Sequence, residues 1–269
     1  MNRIQQLFAD KQKDILNIYF TAGYPNLDDT EPTILALAEA GADLIEVGMP
    51  YSDPLADGPT IQESGTAAIR NGMTLDRLFD QIASARQHTE IPLVMMGYFN
   101  QVMQYGEDRF FRKAKEVGVD GLILPDLPVY EYEQFYREQV EGLDLAVSFL
   151  ITPQTSEERI LQIDKLTRGF IYMVSNSSIT GAKKEITQTQ LDYFNRINAM
   201  QLDNPRLIGF GISSHDTFRT ACDYANGAII GSAFIKAMRD GKDVRSATFD
   251  FVGKIRKSEI RSRRSEVGN

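Results

Sequence analysis

The sequence holds a single cysteine, Cys222, in 269 residues, so no internal disulfide can form and a reducing compartment suits the chain. Histidine is nearly as scarce. His88 and His215 are the only two, and without a His/Cys cluster a zinc site is excluded and acid/base chemistry falls to carboxylates. Positive charge is also in deficit: Lys+Arg 29 against Asp+Glu 37 gives a net charge of −8, which repels nucleic-acid phosphates and anionic membrane surfaces. Nowhere do about 18 apolar residues run together. The N-terminal "MNRIQQLFADKQKDI" lacks the apolar stretch and small-residue cleavage pattern of an export signal, so the expectation is a soluble, cytoplasmic protein.

What is present is alternation. Eight short β-rich runs recur: "ILNIYFTAG", "ADLIEVGMP", "IPLVMMGYF", "DGLILPDLP", "LAVSFLI", "GFIYMVS", "RLIGFGIS" and "GAIIGSAF". Between them lie segments such as "DTEPTILALAEAG", "TLDRLFDQIASARQ", "EDRFFRKAKEVG" and "SEERILQIDKL", with apolar residues at helical spacings and, at Gly41 and Gly118, glycine at the helix end. Strict β/α alternation implies parallel strands joined by crossover helices. Eight units without a linker-like break predict a closed (β/α)8 TIM barrel in one domain, residues 1–269, with a doubly wound open sheet as the alternative. The basic stretch "KIRKSEIRSRRSEVGN", from residue 254 to 269, reads as a solvated, frayed helix end or as a binding arm.

The parity of the second strand places a carboxylate inside the barrel. If Ile45 and Val47 face the helices, Leu44, Glu46 and Gly48 face the interior, with Glu46 near the C-terminal mouth where barrel enzymes do their chemistry. A buried carboxylate needs a partner or a raised pKa, and a raised pKa suits proton transfer near neutrality; both a paired structural glutamate and an acid/base group fit. The segment "PYSDPLADGPTIQ" then reads as a long loop at the same mouth, stiffened by Pro50, Pro54 and Pro59. It offers Asp53 and Asp57, either as Asx-turn and helix-cap residues or as further functional carboxylates.

Two glycine-bearing segments, "GFGISS" and "GSAF", end the last two strands, where such barrels cradle phosphate on exposed N–H groups and a helix N-terminus, although either could be a tight turn. Neither dinucleotide nor Walker spacing is present. "SNSSITGAKKE", Ser175 to Glu185, fits a mobile lid or an ordinary loop. Tyr19, Tyr98, Tyr172 and Phe210 lie on or near strand ends, where they suit either core packing or a flat aromatic ligand.

Taken together in order, "YFTAGYP", "EVGMPYSDPLADGPTIQ", "SITGAK", "GFGIS" and "GSAF" closely resemble the tryptophan synthase alpha subunit family, over nearly the whole chain. The resemblance implies retro-aldol cleavage of indole-3-glycerol phosphate to indole and glyceraldehyde 3-phosphate, with no cofactor in this subunit. It also implies a pyridoxal-phosphate-dependent beta subunit as partner in an alpha2beta2 heterotetramer. Motif by motif, Glu46 is similar to the family's acid/base glutamate and Asp57 to its catalytic aspartate. Tyr19, Tyr172 and Phe210 fall around the substrate, and Gly181, Gly211, Gly231 and Ser232 at the phosphate. A non-catalytic barrel that activates the beta subunit is the alternative. The lid departs from the family pattern, with Asn176 at the usual arginine and Ser178 at the first glycine, which puts loop closure and signalling to the partner in question.

Overall fold

The computed structural model describes residues 2–174, 187–209, 211–239 and 243–266, with side chains as far as 256. Its strands are β1 (Ile15–Thr21), β2 (Leu44–Gly48), β3 (Leu93–Met96), β4 (Gly121–Ile123), β5 (Ala146–Val147), β6 (Leu150–Ile151), β7 (Ile171–Val174), β8 (Arg206–Gly209) and β9 (Gly227–Ile230). Neighbours pair in parallel in the order β5-β4-β3-β2-β1-β9-β8-β7-β6. Only Ser148 and Phe149 separate β5 from β6. The Ser148 N–H donates to Leu122 O of β4 at 3.1 Å, and the Phe149 carbonyl accepts from Tyr172 N of β7 at 2.9 Å. The two pieces are therefore one barrel strand leaning first on one neighbour and then on the other. Nine segments occupy eight positions, and the ring closes as the alternation predicts.

The four periodic segments form helices at Thr30–Ala40, Leu75–Arg86, Glu107–Glu116 and Glu157–Leu166. Thr74 and Ser156 cap two of them by accepting from Arg77 N and Arg159 N, and Gly41 (φ 97°) and Gly118 (φ 86°) turn the chain out of the other two. One boundary differs from the sequence reading. The loop after β2 ends at Gly58, because Pro59 opens the helix Pro59–Arg70: its fixed φ and missing N–H suit a first helical position.

Strand parity divides the core into two layers. Ile45 and Val47 face the helices with Phe79, Phe110 and Ile163, while Leu44 faces inward with Ile15, Val94, Ile123, Phe170, Leu207 and Ile229. Each such fully buried side chain contributes roughly 1.5–3 kcal/mol relative to exposure. The N-terminal helix Arg3–Asp10 closes the bottom of the barrel with Ile4, Leu7 and Phe8. Asn2 caps that helix and donates to the carbonyls of Asp120 at 2.6 Å and Asp144 at 3.0 Å, and Arg3 pairs with Asp120 at 3.0 Å. No described helix is long and apolar enough to cross a membrane.

Candidate active site

Glu46 is fully buried on β2, in register with Tyr19 of β1 and Val94 of β3. Its Oε1 accepts a 2.6 Å hydrogen bond from Asn17 Nδ2, while its Oε2 has no partner among the described residues. Burial pushes its pKa from 4.5 up to about 8, and the bond from Asn17 opposes that rise. At neutral pH this carboxyl carries its proton, as a general acid requires.

Asp57 stands at the far end of the loop after β2 and is half-buried. The Tyr98 hydroxyl donates to Asp57 Oδ2 at 3.2 Å and accepts from Ala56 N at 3.1 Å, so one phenol ties the β3 end to the aspartate's own loop. Gln62 on the following helix donates to the carbonyls of Pro54 at 3.2 Å and Asp57 at 2.9 Å, pinning the loop from its other side. Burial raises the Asp57 pKa and the Tyr98 bond lowers it; the net direction is upward. The Tyr98 hydroxyl is itself pushed up to about 12, by burial first and then by the Asp57 charge. Among the described residues the Asp53 side chain accepts from its neighbour Ser52, at 2.6 Å on the exposed part of the loop, and its backbone carbonyl accepts from Leu55 N at 2.9 Å.

Two buried tyrosines connect the carboxylates. Burial raises both phenols far above their ordinary range, and each also feels the charges of Glu46 and Asp57. Their placement explains two glycines on the strands. A Cβ on Gly48 would overlap the Tyr19 hydroxyl, and one on Gly209 would overlap the Tyr172 hydroxyl, so only glycine lets these rings lie across the neighbouring strand. Tyr19 also lies against Gly231, where an added Cβ would sit 3.2 Å from its Cδ1.

Gly231 leads directly from β9 into the helix Ser232–Arg239; its carbonyl accepts from Phe234 N at 2.9 Å and Ile235 N at 3.0 Å, and the N–H groups of Ser232 and Ala233 precede that first closed turn. Gly211, just beyond β8, is exposed with φ 81°, a conformation that favours glycine. These two strand ends are adjacent because β8 pairs with β9. Phe210 and Gly181, like Asn176 and Ser178 of the expected lid, lie outside the described residues.

Both histidines stand apart from this constellation. His88 is exposed ahead of β3, and His215 opens a helix and donates from Nδ1 to the Ile255 carbonyl at 2.6 Å. Among the described residues no group of three or more His, Cys, Asp or Glu side chains could hold a metal. A cavity of about 330 Å³ beside the mouth is bordered by Asp126, Phe149 and Arg159, and neither Glu46 nor Asp57 lines it.

Sequence reasoning passed over Asn17 and read Tyr98 as a ring for core packing or for a flat aromatic ligand, not as the partner of Asp57. The signal for Asn17 was there: it is the one amide in "ILNIYFT", and it shares the parity of Tyr19. Burying such a group without full hydrogen bonding costs about 1–3 kcal/mol.

A family model described as "Tryptophan synthase alpha chain" matches residues 5–259. The chain belongs to the tryptophan synthase alpha chain family. Curated alpha chains from Christiangramia forsetii (53% identical over 89% of this chain and 93% of that one) and Flavobacterium johnsoniae (53% over 95% and 100%) are similar to it along almost their full length. Among solved structures it resembles a mutant tryptophan synthase alpha-subunit from Pyrococcus furiosus, with a TM-score of 0.83 and 36% identity over 90% of this chain and 98% of that one. It also resembles a chain of Mycobacterium tuberculosis tryptophan synthase, with a TM-score of 0.85 and 32% identity over 94% and 96%. As a tryptophan synthase alpha chain it is a lyase of tryptophan biosynthesis that cleaves indole-3-glycerol phosphate. This subunit needs no cofactor; pyridoxal phosphate belongs to the beta subunit.

Proposed function

We propose that Glu46 and Asp57 carry the cleavage, working on one indole ring held between Tyr19, Tyr172 and Phe210. Glu46 enters protonated and gives its proton to indole C3. The side-chain hydroxyl then returns a proton to Glu46 as its oxygen becomes the aldehyde and the carbon–carbon bond pair moves back into the ring. Asp57 accepts a hydrogen bond from the ring N–H and stabilises the cationic stage. One carboxyl thus donates and receives, and leaves the cycle unchanged. The observation that carries this reading is a fully buried glutamate at the mouth of the barrel, with one oxygen held by Asn17 and the other without a partner among the described residues; burial pushes its pKa up to about 8.

The substrate phosphate sits on Gly181, Gly211, Gly231 and Ser232, where the helix N-terminus favours an anion. The whole chain, 1–269, acts as one domain in the cytoplasm, in an alpha2beta2 heterotetramer with the beta subunit. Support for the partner comes from the same end of the barrel. Leu55 after β2, Met103 after β3 and Tyr130 after β4 are exposed by 86%, 47% and 61%, three apolar side chains following successive strand ends on the side where indole leaves.

Indole release from purified protein and indole-3-glycerol phosphate tests the assignment. Glu46→Gln and Asp57→Asn should each lower turnover by about 10²–10⁴-fold with an unchanged circular dichroism spectrum. Near-normal turnover of Glu46→Gln would remove Glu46 from the reaction.

A further inference from the structure

We propose that Asn17 is a positioning residue for this reaction: its amide holds Oε1 of Glu46 and so reserves Oε2 for the proton that moves. The inference rests on the proposed role of Glu46. Asn17 and Glu46 sit diagonally on the inner faces of paired strands, since Asn17 is in register with Leu44 and Tyr19 with Glu46. Asn17 is fully buried, and the inward-facing side chains around it, Ile15, Leu44 and Ile229, are apolar. An aliphatic residue in its place would leave neither oxygen of the buried Glu46 hydrogen-bonded among the described residues. The amide instead makes one hydrogen bond among the described residues, at 2.6 Å to Glu46, and leaves its own Oδ1 unpartnered. A purely structural asparagine in a closed barrel would be expected to satisfy both ends of its amide.

The consequence for Glu46 is directional. A carboxyl oxygen that already accepts an N–H is the poorer site for a proton, so the acid form carries its hydrogen on Oε2. The same bond favours the ionised form and offsets part of the effect of burial, so Glu46 can still take the hydroxyl proton in the second half of the cycle. The other titratable groups that feel Glu46 are Tyr19 on β1 and Tyr172 on β7. Both feel Asp57 as well, and the facing residue of β3 is the apolar Val94.

Asn17→Leu keeps the branching and the number of side-chain heavy atoms and removes the donor. With indole-3-glycerol phosphate as substrate, kcat should fall by about 10–100-fold while KM moves less than about threefold, because the substrate contacts are untouched. The alkaline limb of kcat/KM should move to higher pH, and Asn17→Ser, which keeps a shorter donor, should recover part of both changes. If Asn17→Leu fails to fold, Asn17→Ser is read by carbon-13 NMR of the labelled Glu46 carboxyl, whose titration should lie above the wild-type value. A kcat within twofold of wild type and an unmoved limb, or an unmoved Glu46 titration in Asn17→Ser, would overturn the proposal. Glu46→Gln separates the two levels: if that variant turns over normally the role of Glu46 itself is wrong, and if it is dead while Asn17→Leu is normal only the positioning role is lost.

Discussion

At the scale of single residues, one substituent decides what the site can do. Glu46 has two buried carboxyl oxygens, and one of them is tied to Asn17. The cost of ionising it there raises its pKa from 4.5 to about 8, which also links it to stability. Between those two values the folded protein holds a proton that the unfolded chain releases. The stability contribution of the neutral acid is therefore complete below about pH 4.5 and is lost as the pH climbs through 8. Glutamine keeps the shape and removes the titration. The melting temperature of Glu46→Gln should match that of the wild type near pH 5 and exceed it at pH 9 by several degrees, where each kcal/mol corresponds to about 2–4 °C for a chain of this size. A difference that stays constant across this range would mean that Glu46 is not desolvated.

At the scale of elements, the two ends of the barrel do different work. The loop after β2 is held at the mouth by Tyr98 and Gln62, which place Asp57 where its charge is felt by the same tyrosines that feel Glu46. The bottom is sealed by the N-terminal helix through Asp120, which accepts from Arg3 at 3.0 Å, Arg86 at 3.0 Å and Leu93 N at 2.9 Å. Asp120→Asn retains the size but leaves the largely buried Arg86 without the carboxylate it pairs with, while the more exposed Arg3 keeps Glu90. It should destabilise the protein by about 1–3 kcal/mol in urea unfolding. Because Asp120 lies at the opposite end from the carboxylates, kcat for indole release should stay near wild type. A fall in kcat without a fall in stability would show that the bottom of the barrel couples to the chemistry.

At the scale of the whole molecule, closing the ring sets the mouth as one surface built from consecutive strand ends. Leu55 and Tyr130 stand on it, exposed and apolar, next to the loop that carries Asp57. Leu55→Asp and Tyr130→Ala should weaken association with a beta subunit by about 10–100-fold, as loss of a central apolar anchor does, measured by titrating beta-subunit activation. Indole release by the isolated chain should change little. If both variants associate normally, the partner uses another face.

Much of this was readable before any coordinates. Eight β-rich runs, the glycine helix ends and the parity of "LIEVG" were sufficient for the barrel and for the inward direction of Glu46, because strand periodicity and turn chemistry are local properties of the chain. The break at Ser148 and Phe149, the helix start at Pro59 and the sealing of the bottom by Ile4 were not stated by the sequence reading. Motif resemblance supplied Asp57, but not the phenol of Tyr98 that holds it. By itself the sequence determined which residues face inward and which chemistry they can carry. Only the tertiary structure decided their partners: Asn17 and Glu46 are 29 positions apart, and Tyr98 and Asp57 are 41. A hydrogen bond across that distance exists only once strand register and ring closure have fixed both ends, and the same burial that brings them together is what raises the glutamate's pKa.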